Sequence, residues 1–358
     1  MSISADSLPA LTAAILQPGA PVAHRMRGIF ALRGLPVGPA TRGPLVTLLT
    51  RDQSALVRHE AAYALGQMQD AGAAEVLGRV LANTAEDVMV RHEAAEALGA
   101  IGDPAAVPLL TRYLDDERVE VRETCVLALE RLGAATHGVA GGGGGGGGGG
   151  VAAAGVRSSP EAAVALGGGD GGGDGGGGAD PTFHSVDPVI VPPTAAAART
   201  VADWAADLAS TSAPLASRYA ALFALRAARG SPTEDAAVDA LCAAAVDPSD
   251  SALLRHEVCY VLGQMAPRRA VGPLAAVLAQ AEAPPMVRHE AAEALGAIGG
   301  ADVEALLRDY TGDAEGVAVV RESCEVALDM SEWLGDAEEL HYTHVVADGG
   351  ATTGVATT

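Results

Sequence analysis

Val57-Arg58-His59-Glu60-Ala61-Ala62-Tyr63-Ala64-Leu65-Gly66 is followed by Val90-Arg91-His92-Glu93-Ala94-Ala95-Glu96-Ala97-Leu98-Gly99. The same phrase returns as Leu254-Arg255-His256-Glu257-Val258-Cys259-Tyr260-Val261-Leu262-Gly263 and Val287-Arg288-His289-Glu290-Ala291-Ala292-Glu293-Ala294-Leu295-Gly296. His59 and His92 lie 33 residues apart, as do His256 and His289. Within each phrase the positions of Ala61, Ala64 and Leu65 recur at i, i+3 and i+4, one apolar face at helical spacing. Gly66, Gly99, Gly263 and Gly296 are expected where the helix ends or bends toward the next unit.

Working outward, each phrase is the second helix of a unit. The first helix is read in Pro44-Leu45-Val46-Thr47-Leu48-Leu49, in Ala106 to Leu110 and in Pro273 to Leu278. Outer units keep the period with other residues at the histidine position: Met26 and Tyr219 upstream, Glu123 and Glu322 downstream. A single helical pair cannot bury its apolar face, so neighbours stack into a curved right-handed solenoid. The pattern resembles the HEAT or armadillo kind. The expected fold is all-α: two lobes of four helical pairs each, facing each other across a metal site.

The boundaries follow from composition. An amino-terminal lobe is expected over 1–137, a glycine-rich disordered linker over 138–193, a carboxy-terminal lobe over 194–341 and a flexible tail over 342–358. The linker holds ten consecutive glycines at 141–150, which lose much backbone entropy on ordering and bury no side chain.

The chain has 358 residues, 49% of them hydrophobic but only 3% aromatic, which suits closely packed helices. Its 45 acidic and 23 basic residues give a net charge of −22, and no lysine occurs. With no arginine-dense stripe, a nucleic-acid partner is disfavoured, and a cationic substrate group is favoured. Cys125, Cys242, Cys259 and Cys324 form no CxxC pair, so no disulfide framework or thiolate zinc site is indicated. No apolar run reaches the roughly 18 residues of a membrane span, and the amino terminus lacks the features of a signal peptide. A soluble protein of a reducing compartment is expected.

Only nine histidines occur, yet four occupy one position of a stacked unit. Equivalent side chains of neighbouring units project from one face, roughly 10 Å apart between helix axes. Histidine and glutamate arms can converge across that gap, and two such pairs facing each other would hold two ions. The bland alternative makes Arg-His-Glu a packing signature of inter-repeat ion pairs. Against it, the outer units keep Val-Arg but lose His-Glu. Imidazoles and carboxylates without sulfur suit non-haem Fe(II), and Mn or Zn would also fit. Iron with open positions makes an oxygenase the first choice, although a hydrolase or a metal-binding scaffold has the same ligand set. All eight motif residues are candidate ligands on this ground.

The motif, its 33-residue spacing and its duplication closely resemble the deoxyhypusine hydroxylase family over about residues 20–135 and 200–340. The glycine-rich stretch departs from the family pattern. The resemblance implies a deoxyhypusine monooxygenase that completes hypusine on a translation factor. Two Fe(II) ions, O2 and an external reductant would serve it. It further implies His59, His92 and Glu93 as ligands of one iron and His256, His289 and Glu290 of the other. Glu60 and Glu257 are then left for the substrate amine, or as additional ligands. A cytoplasmic monomer is expected, with a protein substrate and neither nucleic acid nor membrane as partner. The rival readings are a non-catalytic HEAT-repeat scaffold that binds a protein, and a phycobilin lyase-like repeat protein.

Overall fold

The computed structural model describes residues 8–133, 185–189, 191 and 199–335, and among these every regular element is helical. The amino-terminal lobe comprises α1 (Leu8–Ile15), α2 (Val22–Arg33), α3 (Pro39–Arg51), α4 (Ala55–Gln67), α5 (Ala74–Ala82), α6 (Val88–Ile101), α7 (Val107–Arg112) and α8 (Val119–Arg131). The carboxy-terminal lobe repeats the plan with α9 (Val201–Ala209), α10 (Leu215–Arg226), α11 (Glu234–Val246), α12 (Ala252–Met265), α13 (Val271–Leu278), α14 (Pro285–Ile298), α15 (Ala301–Arg308) and α16 (Ala318–Gly335). Each lobe is thus four helical pairs, as the repeat implies. The even-numbered helices stack on one another and carry the motifs; the odd-numbered ones pack on their flank.

Local chemistry sets where the motif helices begin. Ser54, Asp87 and Ser251 accept hydrogen bonds from the amides of Val57, Met89 and Leu254, capping α4, α6 and α12. The arginine at this repeat position has a different task, alike before three of the histidines and before Tyr219, while Arg58 instead reaches Glu86 and the Asp52 and Gln53 carbonyls. Nε of Arg91, Arg218, Arg255 and Arg288 donates to the carbonyl ten residues earlier, at Leu81, Leu208, Ala245 and Leu278, over 2.8–3.0 Å. Their remaining nitrogens reach Asp116, Asp250, Gln280 and Glu315 in the turn of the following unit. Arginine therefore does the inter-repeat tying without the motif glutamates. The packing explanation of Arg-His-Glu accounts for its first residue only.

The motif glycines Gly66, Gly99, Gly263 and Gly296 fall in the last turn of their helices, and their role there is packing as well as termination. A Cβ on Gly66 would stand 2.7 Å from Cα of Ala97, and on Gly296 2.8 Å from Cα of Ala327. Gly99 meets Ala128 and Gly263 meets Ala294 in the same way. These glycines let consecutive motif helices touch backbone to backbone, which sets the interaxial distance and so the spacing of the histidines.

The lobes close head to tail. α8 packs on α10 and α12, while α16 packs on α2 and α4. Met89 and Leu127 of the first lobe belong to the core of the second, and Val326 of the second belongs to the core of the first. The outer-unit glutamates make reciprocal bonds across this joint. Oγ of Ser54 donates to Glu322 at 2.5 Å, and Oγ of Ser251 donates to Glu123 at 2.7 Å. Arg27 adds a two-point bond to Asp329.

The linker differs from expectation. The glycine run and its neighbours, like the tail at 342–358, lie outside the described residues. Residues 185–189, however, form a strap tied to both lobes, not a loose tether. The Val186 amide donates to Oε1 of Gln67 at 2.6 Å, and Arg131 donates to the Asp187 carbonyl at 2.5 Å. From the other lobe Arg226 grips both Asp187 carboxylate oxygens, and Gln264 donates to Ser185 at 3.2 Å.

Candidate metal centre

The head-to-tail closure brings all four motif histidines to one point. Ring centroids of His59 and His92 are 5.7 Å apart, and those of His256 and His289 are 5.3 Å apart. Contacts between lobes are as close: 5.2 Å for His59–His289 and 5.4 Å for His92–His256. None of the four is more than 6% exposed, and Glu60, Glu93, Glu257 and Glu290 are equally buried. Every predicted site residue is therefore buried around this meeting point of the two lobes. Met26 and Tyr219, at the equivalent position of outer units, are buried in the cores, with the Tyr219 hydroxyl donating to the Leu253 carbonyl at 3.1 Å.

The carboxylates approach the rings unequally. Nε2 of His59 is 3.3 Å from Oε2 of Glu93, and Nε2 of His256 is 3.3 Å from Oε2 of Glu290. Three groups bring donor atoms within 4.8 Å of one another: His256 with His289 and Glu290, His92 with Glu93 and Glu96, and His59 with His92 and His256. Glu60 and Glu257 are buried around the same point but belong to none of these groups. Neighbouring helix residues differ in direction by about 100°, so His and Glu of one motif face different ways.

Whether a metal pair fits is decided by the unpaired atoms. Both ring nitrogens of all four histidines are buried and have no hydrogen-bond partner. Eight orphaned acceptors or donors in one closed space would be a large penalty in a purely structural cluster. Burial, followed by neighbouring imidazoles, pushes His256 down to about 3 and His92 and His289 well below the usual range. These rings stay neutral, the state in which imidazole binds metal. Burial also pushes Glu60 and Glu93 up to about 8, with Glu293 and Glu290 as the next causes, and raises Glu257 and Glu290. Carboxyls crowded together without a cation hold their protons, and divalent ions would relieve the crowding. Neutral nitrogen and carboxylate oxygen, with no sulfur, are the donors that non-haem iron takes.

The sequence reading missed residues one turn further along each motif helix. Tyr63 and Tyr260 meet across the lobes with hydroxyls 2.6 Å apart. Glu96 and Glu293 occupy the same position on α6 and α14 and lie beside His92 and His289. The signal was present, since each lobe reads Tyr and then Glu four residues after its histidines.

Comparison with known proteins agrees with this geometry. A model of HEAT repeats matches residues 81–137 and 238–329, and one of the PBS lyase HEAT-like repeat matches 57–83. Deoxyhypusine hydroxylase of Bos taurus is 41% identical over 335 residues, covering 92% of this chain and 93% of its own. The enzyme of Homo sapiens is 42% identical over 331 residues, with the same coverage. The B form of Oryza sativa subsp. japonica is 42% identical over 322 residues, 89% of this chain and 90% of its own. The structure of human deoxyhypusine hydroxylase in complex with glycerol superposes with a TM-score of 0.72 at 40% identity. It covers 92% of this chain and 96% of that one.

Proposed function

The chain belongs to the deoxyhypusine hydroxylase family, and from that premise we propose how its chamber divides the work of a deoxyhypusine monooxygenase. His59, His92 and Glu93 hold one Fe(II), and His256, His289 and Glu290 hold the other. Glu60 and Glu257 receive the cationic substrate arm. The observation that carries this reading is the set of eight buried, unpartnered imidazole nitrogens. The 3.3 Å approaches of Glu93 to His59 and of Glu290 to His256 support the grouping by lobe.

Two Fe(II) ions bound there would activate O2, with electrons from an external reductant, and supply the oxygen atom placed on a C–H bond of the deoxyhypusine side chain, completing hypusine. The chain's own contribution is placement. The neutral imidazoles leave their nitrogens free for the metals, and the closed head-to-tail joint keeps bulk water from the reacting carbon. Glu60, with Oε1 buried and unpaired, and Glu257 meet the protonated amines. A cation entering beside them lowers their proton affinity, so each carboxyl gives up its proton as the amine arrives. The net charge of −22 favours approach of a basic partner. That partner is the deoxyhypusine-bearing translation factor. The enzyme acts as a cytoplasmic monomer, and no nucleic acid takes part. Among the described residues no helix is long and apolar enough to cross a membrane.

The test is a split between metal and substrate. Glu60→Ala and Glu257→Ala should keep most of the iron yet weaken binding of the deoxyhypusine-bearing protein by about 2–5 kcal/mol, the usual cost of stripping a buried charged contact. Iron loss as complete as in a histidine variant would place both glutamates among the ligands instead.

A further inference from the structure

Four residues beyond His289 on α14, Oε1 of Glu293 stands 3.6 Å from Nδ1 of that histidine. Nε2 of the same ring lies on the side of Glu290, at 3.9 Å. Both Nδ1 of His289 and Oε1 of Glu293 are buried and lack a hydrogen-bond partner. Two unsatisfied polar atoms thus face each other slightly beyond bonding distance, a separation that a small ring rotation would close. On α6 the pair recurs as His92 and Glu96, whose donor atoms fall in one group with Glu93. Residues i and i+4 share a helix face, so the placement is built into the backbone. In α4 and α12 the same position holds Tyr63 and Tyr260, which bond to each other instead.

We propose that Glu96 and Glu293 are positioning carboxylates: each accepts the Nδ1–H of the histidine one turn before it, leaving Nε2 of His92 and His289 as the metal-binding atom. This rests on the metal assignment above and deepens it. A carboxylate on the far ring nitrogen fixes tautomer and orientation and strengthens the imidazole as a ligand. Glu96 also lines a small crevice with Arg131 and Pro188. Each iron then has one histidine locked by a carboxylate and one, His59 or His256, without that lock.

The test uses the full chain loaded with Fe(II), and with Co(II) for its ligand-field spectrum. Glu96→Ala and Glu293→Ala should release iron to a chelator faster by roughly 10–100-fold. Glu96→Gln and Glu293→Gln should fall between, because the amide oxygen still accepts the N–H. The Co(II) spectra of the Gln variants should keep the wild-type coordination number. Release at the wild-type rate in the Ala variants would overturn the proposal. So would a Co(II) spectrum that loses a ligand in the Gln variants, as expected of His289→Ala, since the glutamates would then be ligands. A melting temperature of the metal-free Ala variants well below that of metal-free wild type would make the effect structural and defeat it too. Wild-type protein that takes up neither metal would instead sink the metal assignment itself.

Discussion

His59, His92 and Glu93 in one lobe have His256, His289 and Glu290 as counterparts in the other, with the same 3.3 Å approach of glutamate to histidine in each. The joints that bring them together are likewise reciprocal, Ser54 with Glu322 and Ser251 with Glu123. Away from the chamber the likeness ends. Arg33 and its counterpart Arg226 both stack over a phenylalanine, Phe30 or Phe223, but Arg226 is also held by Asp187 of the strap, whereas Arg33 lies over Tyr63. Tyr219 bonds the Leu253 carbonyl where the first lobe has Met26 in its core. The Arg27–Asp329 pair spans one joint, and at the other those repeat positions carry Ala220 and Glu130. On the metal assignment proposed above, the inner face would present two like ions to like ligands and so stays two-fold. The surrounding positions carry no such requirement, and there the two halves differ.

Equality of the lobes is tested most severely at the histidines. His92→Ala and His289→Ala should abolish hydroxylation alike, because each removes a neutral nitrogen that water replaces poorly. An active variant in either lobe would break the symmetry at the site. Next come the motif glycines. A methyl group on Gly66 enters 2.7 Å from Cα of Ala97, while on Gly263 it enters 3.1 Å from Cα of Ala294. Gly66→Ala should therefore cost about 1–3 kcal/mol of stability by overpacking, and Gly263→Ala less, as read by denaturant unfolding.

A smaller effect is expected at the strap. Asp187→Ala removes the carboxylate from the Arg226 guanidinium, which keeps Gln264 and Ser185, and should cost about 1 kcal/mol with little change in iron content. An effect on iron as large as that of a histidine variant would make the strap part of the metal chamber. The smallest signal is a proton count. Metal-free Glu93, pushed up to about 8, is protonated at pH 7 and must lose that proton to bind metal, while neutral His256 has none to lose. Iron binding at pH 7 should therefore release protons, about one or more per ion. Calorimetry in buffers of different ionisation enthalpy measures this, and release should fade as pH rises past 8.

Much of this was legible in the sequence because repeats report themselves. The period located the helices, and the outer units that keep Val-Arg without His-Glu separated chemistry from packing. What the sequence hid were contacts between distant units. Glycine after a helical run reads as a stop, and only the stacked neighbours show that Gly66 and Gly296 are passing points for Ala97 and Ala327. Ser185 to Val189 follow a stretch dominated by glycine, so composition masked a segment whose partners, Gln67 and Arg226, lie far away in the chain. Tyr63, Tyr260, Glu96 and Glu293 stood in plain register but matter through the opposite lobe or a ring edge, neither of which periodicity describes.

On the function proposed above, the two lobes jointly hold the iron that hydroxylates deoxyhypusine. Iron content, measured beside mass-detected addition of one oxygen atom to a deoxyhypusine-bearing protein, tests it most directly. Wild type should carry about two irons per chain, as two histidine-carboxylate sites require, and should add the oxygen in the presence of O2 and reductant. His59→Ala, His92→Ala, His256→Ala and His289→Ala should each add none and lose iron, while Met26→Ala and Tyr219→Ala keep their metals. Wild-type protein fully loaded with iron yet unable to add that oxygen would contradict the account.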